Sequence, residues 1–160
     1  MDSRSTKGTL TAYHEAGHAR VGLLCGRSIE KVWINPAAGT GETKFAHWET
    51  SPLHQEQELI IAHAGRIAEE LLCSKKNWSN ELGLDEIGND LHQIHRLLQA
   101  LGGDIAEQNV VLRRSEAHAR ALLTQLQTWV CVEILAEGLL SSPTGEMNCD
   151  QIHALIGNMS

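Results

Sequence analysis

His14-Glu15-Ala16-Gly17-His18 constrains this chain more than any other stretch, because its chemistry works only on a helix. Residues four apart on an α-helix stand on one face a turn apart, so two imidazoles at this spacing can meet a single metal ion. Zinc binds neutral imidazole nitrogen, and three protein ligands leave a fourth position for a water that the metal acidifies. A carboxylate that is not itself a ligand can take that water's proton and pass it to a leaving amine, the part for which Glu15 is placed. With nine His in 160 residues, two at this spacing arise readily by chance; the intervening Glu and the small Ala16 and Gly17 single this pair out. Gly inside a helix costs about 1 kcal/mol relative to Ala, so Gly17 implies close approach by another backbone or by a substrate. A closed structural site would need four protein ligands, often including Cys. Cys25 is about two turns past His18, too far along the same helix to join it.

Two His leave such a metal short of ligands, so a third group must come from a distant part of the chain. Glu42, Glu69, Glu70 and Asp90 are the candidates, and zinc accepts either kind of carboxylate. A Glu on a later helix is a common solution in zinc proteases, which makes Glu69 or Glu70 the choice from residue chemistry alone.

The rest of the sequence reads as a mainly α (α+β) fold in a single domain over 1–160, large enough to bury its own core. The metal helix is expected over about 8–25, capped by Ser5 or Thr9 and closed by Gly26. Ile29 to Ile34 and Glu42 to Trp48 read as a hairpin over about 29–48, with one edge open to an extended peptide. Pro52 marks a break, and the remainder, 53–157, is helical: about 53–73, then a polar turn over 74–81, a helix over 85–101 ended by Gly102-Gly103, and one or two helices over 104–136. A loop over 138–148 precedes a last short helix capped by Asp150. The apolar residues between Asn109 and Glu137, Val110 and Leu126 among them, are expected in the core. Trp33 and Trp48 read as packing residues of the strands, and His47, His54, His63, His92, His95, His118 and His153 as solvated or satisfied within the core.

A net charge of −7 without a long Lys or Arg block argues against a nucleic-acid or anionic-membrane surface. Cys25, Cys73, Cys131 and Cys149 show no Cys-x-x-Cys spacing and read as buried thiols, and no uncharged apolar stretch reaches about 18 residues. The expectation is a cytoplasmic protein without membrane insertion.

Three blocks in order, Thr11-Ala12-Tyr13-His14-Glu15-Ala16-Gly17-His18-Ala19, Ala64-Gly65-Arg66-Ile67-Ala68-Glu69-Glu70-Leu71 and Gly88-Asn89-Asp90-Leu91, closely resemble the proteolytic domain of the FtsH family of ATP-dependent zinc proteases. The resemblance implies a zinc metallopeptidase acting on polypeptides, with zinc (Zn2+) held by His14, His18 and Asp90 and with Glu15 as the catalytic base. It implies a structural part for the second block, in which Gly65 allows close helix packing and Arg66 pairs with a carboxylate such as Glu69 or Glu70. It also implies a possible homo-oligomer, since the family's protease domains form a hexameric ring. The chain departs from the family at Asp85-Glu86-Ile87-Gly88, where the family has Thr-Gly-Ala; the acidic pair is read as a helix start. No Gly-x-x-x-x-Gly-Lys-Ser/Thr loop is present, so a chain standing alone without an ATPase module is expected, served by a separate AAA+ ATPase or an FtsH-like partner. The alternative is a non-catalytic, regulatory FtsH-like domain that binds such a partner.

Overall fold

The computed structural model describes residues 3–47, 51–79 and 84–157, with side chains from residues 6 and 88 onward in the first and last of these stretches. Its described elements are six helices and one small antiparallel sheet: α1 (Ser3–Leu24), β1 (Ile29–Asn35), β2 (Thr40–Phe45), α2 (Pro52–Lys76), α3 (Leu84–Leu101), α4 (Ile105–Leu123), α5 (Leu126–Ser141), β3 (Glu146–Asn148) and α6 (Cys149–Ile156). The mainly helical expectation holds, with differences in detail. Trp48 lies outside the described residues.

The first helix is the axis of the fold. Every residue from Leu10 to Gly22 is buried, with α2, α5 and the hairpin packed around it. Such a helix cannot be amphipathic, and its polar residues Thr11, His14, Glu15, His18 and Arg20 are buried among alanines. Burying them is costly unless each finds a partner, so their positions are strongly constrained. The helix begins at Ser3, earlier than expected, so Ser5 and Thr9 fall within it instead of capping it; the side chain of Ser5 is outside the described residues.

Gly17 sets the distance between α1 and α2. A Cβ there would lie 2.7 Å from Ala68 Cβ and 2.8 Å from the Ala64 carbonyl oxygen, neither of which can swing away. The backbone approach inferred from the sequence is therefore that of α2. Gly17→Ala is expected to lower unfolding free energy by about 1–2 kcal/mol, overpacking outweighing the gain in helix propensity. Urea unfolding measures this; unchanged or increased stability would contradict it.

Ser51 accepts from the His54 N–H at the start of α2, and Pro52 occupies its first turn, so the expected break is a helix start. Leu59, Ile67 and Leu72 of α2 are fully buried, each contributing roughly 1.5–3 kcal/mol by leaving water. The third helix is held by Ile94 and Leu98, which pack with Leu59 and Ala62 of α2. Asp90 precedes Ile94 by four residues, so the turn that carries it lies over the same face of α2. Asp85 and Glu86 fall in the first turn of α3, where acidic residues are favoured.

The sheet order is β2-β1-β3, all pairs antiparallel. A bulge between Ile29 and Lys31 lets Ile29 and Val32, an odd number of residues apart, both face the core. The third strand corrects the expected loop over 138–148: α5 runs on to Ser141, and Glu146–Asn148 pairs with Lys31–Trp33 and buries Met147. The last helix is capped by Asn148 in a reciprocal capping box with Gln151, not by Asp150. A second correction concerns α4 and α5. Leu123 and Leu135 are buried as expected, but Val110 and Leu126 are 61% and 80% exposed, because each lies on the outer side of its helix. No described helix is long and apolar enough to cross a membrane.

Candidate metal centre and cleft

Three side chains from two helices converge at the centre of the fold. His14 Nε2 lies 3.0 Å from His18 Nε2, and one oxygen of Asp90 lies 3.0 Å from the first and 3.2 Å from the second. The rings' other nitrogens fix their tautomers. His18 Nδ1 is 2.7 Å from the Ile61 carbonyl and His14 Nδ1 is 2.5 Å from Glu69 Oε1; both oxygens accept, so both Nδ1 atoms donate. In its neutral form each imidazole therefore presents the Nε2 lone pair inward, and in its protonated form it donates from Nε2; the third inward atom is a carboxylate oxygen. Three electron-pair donors at this separation repel one another unless a cation sits among them.

The donor set fits zinc. Bonds of about 2.0–2.1 Å in a tetrahedral site separate ligand atoms by roughly 3.3 Å, a few tenths more than the sides of this triangle. The space is maintained by Gly65 of α2: a Cβ there would lie 2.6 Å from His14 Nε2, and nearer still to His18 Nε2. The close packing expected of Gly65 is thus against the two imidazoles.

The protonation preferences express the same demand for positive charge. Burial pulls the His14 imidazole down, but hydrogen bonds to Asp90 and Glu69 outweigh it and hold its pKa well above the usual range. His18 is raised in the same way, its burial opposed by the charge and hydrogen bond of Asp90. Burial would raise Asp90, yet the His18 charge and the hydrogen bonds from both imidazoles hold it below the usual carboxylate range. Glu15 is raised, chiefly by burial, against the pull of His18, His14 and Thr43.

The four carboxylates weighed as a third ligand separate clearly. Asp90 faces both Nε2 atoms. Glu69, 1% exposed, sits behind His14 on its Nδ1 side. Glu70 turns outward to accept from Arg66 and Arg120, while Arg66 also reaches Glu116, tying α2 to α4. Arg66 therefore pairs with Glu70 and not Glu69. Glu42 is exposed and accepts from the Trp33 indole at 3.3 Å.

Glu15 opens onto a cleft of about 370 Å³ whose walls include His18, Asp90, Gln93, Ile61, Gly41, Thr43 and Phe45. Trp33, expected to pack, stands at this cleft with Glu42. Arg27 closes part of one wall: its guanidinium lies 4.5 Å from the centre of the Phe45 ring, pairs with Glu58 and donates to the Ala46 carbonyl. Reading the sequence missed Arg27, Gly41 and Thr43, and only their nearness to the metal helix could have signalled them. His92 and His95 are exposed, as are His47, His118 and His153. His63 departs from the expectation, being buried with no protein partner at either ring nitrogen among the described residues. Burial, with the Arg66 charge, pulls it down to about 4.

No family model matches the chain. It is similar to the ATP-dependent zinc metalloprotease FtsH 3 of Synechocystis, 30% identical over 103 residues. It is also similar to the ATP-dependent zinc metalloprotease FTSH 1, chloroplastic, of Oryza sativa subsp. japonica, 32% identical over 105 residues. The matches take in 58% and 59% of this chain, which spans only 16% and 15% of those relatives. The chain therefore contains an FtsH-related region.

Proposed function

We propose that this chain is a zinc-dependent metallopeptidase that hydrolyses peptide bonds in unfolded polypeptides or peptides, with zinc held by His14, His18 and Asp90 and with Glu15 as the general base. The observation that carries the reading is the convergence of two inward Nε2 lone pairs and the Asp90 carboxylate beside a buried Glu on the wall of a cleft. Zinc bound there supplies a Lewis acid for the scissile carbonyl and lowers the pKa of water. Glu15 takes the proton from the attacking water and delivers it to the departing amine. Its raised pKa suits it to both steps, since a base that is too weak cannot accept the proton and one that is too strong cannot release it. Glu69 holds the His14 ring in its donating orientation, and the Ile61 carbonyl does the same for His18.

The cleft runs beside β2, one of the two outer strands of the sheet, so an extended peptide is the substrate form that suits it. A folded substrate would need unfolding by an ATPase, which makes an AAA+ protein or an FtsH-like assembly the partner in this reading. Four free thiols, Cys25, Cys73, Cys131 and Cys149, fit the reducing cytoplasm.

The test is hydrolysis of a fluorogenic peptide library by the zinc-loaded protein and its Glu15→Gln variant. Glu15→Gln is expected to retain zinc and lose about 10²–10⁴-fold in kcat. A zinc-loaded wild type that cleaves nothing, or a Glu15→Gln variant as active as wild type, would overturn the proposal.

A further inference from the structure

We propose that Thr43 is the positioning residue for Glu15, holding its carboxylate in the orientation the water requires. This inference rests on the peptidase reading above and adds a residue to its machinery. The Thr43 hydroxyl lies 2.7 Å from Glu15 Oε2 and 3.0 Å from the Glu15 main-chain carbonyl. It has one proton to donate, and the shorter bond goes to the charged acceptor, where such bonds are strongest.

The strand explains how the hydroxyl reaches the helix. Along β2, Gly41, Thr43 and Phe45 are half-buried and alternate with exposed Thr40, Glu42 and Lys44, so the three share the face toward α1. Phe45 is received at Gly22, where any Cβ would strike its ring. At the other end a Cβ on Gly41 would lie 2.9 Å from Glu15 Cγ and 2.8 Å from the Trp33 carbonyl oxygen. Between these contacts the strand is pressed onto α1 with Thr43 level with Glu15. Gly41 limits where the Glu15 side chain can go, and Thr43 fixes its rotation through Oε2, leaving Oε1 for a water in the cleft.

Packing alone would be met as well by Val, which has the same shape and favours strands. The hydroxyl adds a donor with two acceptors within reach, Glu15 Oε2 and the Glu15 main-chain carbonyl. A proton taken up at Oε1 leaves Oε2 an acceptor, so the same donation from Thr43 anchors the carboxyl through both halves of the reaction.

The test compares zinc-loaded wild type, Thr43→Val, Thr43→Ser and Thr40→Val, the last an exposed control on the same strand, in kcat, KM, zinc content and thermal midpoint. Thr43→Val is expected to lose about 10–100-fold in kcat, the loss of one hydrogen bond to a charged group, with KM within about twofold and zinc content unchanged. Thr43→Ser should recover to within about threefold of wild type, and Thr40→Val should match it. A Thr43→Val variant with wild-type kcat, a Thr43→Ser variant as impaired as Thr43→Val, or a kcat loss that follows zinc loss would overturn the inference while leaving the peptidase reading standing. An inactive wild type would overturn both.

Discussion

Gly65→Ala is expected to abolish zinc binding and hydrolysis while leaving the chain folded. The added methyl would occupy the space that His14 Nε2 and His18 Nε2 share, 2.6 Å from the first. Neither ring can retreat without breaking its Nδ1 bond, to Glu69 in one case and to the Ile61 carbonyl in the other. Helix propensity acts in the opposite direction, since Ala in a helix interior is favoured over Gly by about 1 kcal/mol. The metal-free variant should therefore lose about 1–2 kcal/mol of unfolding free energy relative to metal-free wild type, overpacking outweighing helix propensity as at Gly17, while zinc affinity falls more than about hundredfold. That exceeds the 10–100-fold typical of losing a group that merely orients a ligand. Zinc titration beside urea unfolding in chelator separates the two effects. A Gly65→Ala variant that binds zinc like wild type would mean that the imidazoles do not meet at a metal beside Gly65.

Asp90→Ala and Glu69→Gln are expected to rank the two carboxylates of the site. Asp90→Ala removes an inward donor and leaves two neutral imidazoles, so zinc affinity should fall by more than about hundredfold and activity should vanish with it. Glu69→Gln keeps an oxygen able to accept from His14 Nδ1 but removes the charge that makes the ring a better donor, so affinity should fall about 10–100-fold, with activity restored by excess zinc. The reverse order would make Glu69 the ligand and Asp90 the supporting group. A stability consequence follows from the same equilibrium. Metal at about a thousand times its dissociation constant adds roughly 4 kcal/mol to a fold that binds it, so chelation should lower the thermal midpoint of wild type and leave that of Asp90→Ala nearly unchanged.

The parts of this architecture that were legible in the sequence are those set by local spacing. The His14 and His18 pair required a helix, Ile29 to Ile34 and Glu42 to Trp48 read as strands around a Gly-rich loop, and Ile87, Leu91, Ile94, Leu97 and Leu98 recurred at helical spacing over 85–101. What escaped depends on partners far along the chain. Nothing local marks Glu146–Asn148 as a strand, since its only inward residue is Met147 and its partners are Lys31–Trp33. The apolar Val110 and Leu126 continue helical patterns yet point outward, because periodicity gives a face and not what covers it. Residue chemistry favoured Glu69 or Glu70 over Asp90 for the same reason. All three are carboxylates, and only the crossing of α1, α2 and α3 puts Glu69 behind His14, Glu70 outside and Asp90 at both Nε2 atoms.

Zinc K-edge X-ray absorption on the purified protein tests the central claim most directly, because it counts and identifies the atoms around the metal. The account predicts one zinc per chain with nitrogen and oxygen neighbours only, two of them imidazoles, at about 2.0–2.2 Å. A sulfur neighbour near 2.3 Å would transfer the metal to cysteines, and a protein that takes up no zinc would remove the centre on which the proposed hydrolysis depends.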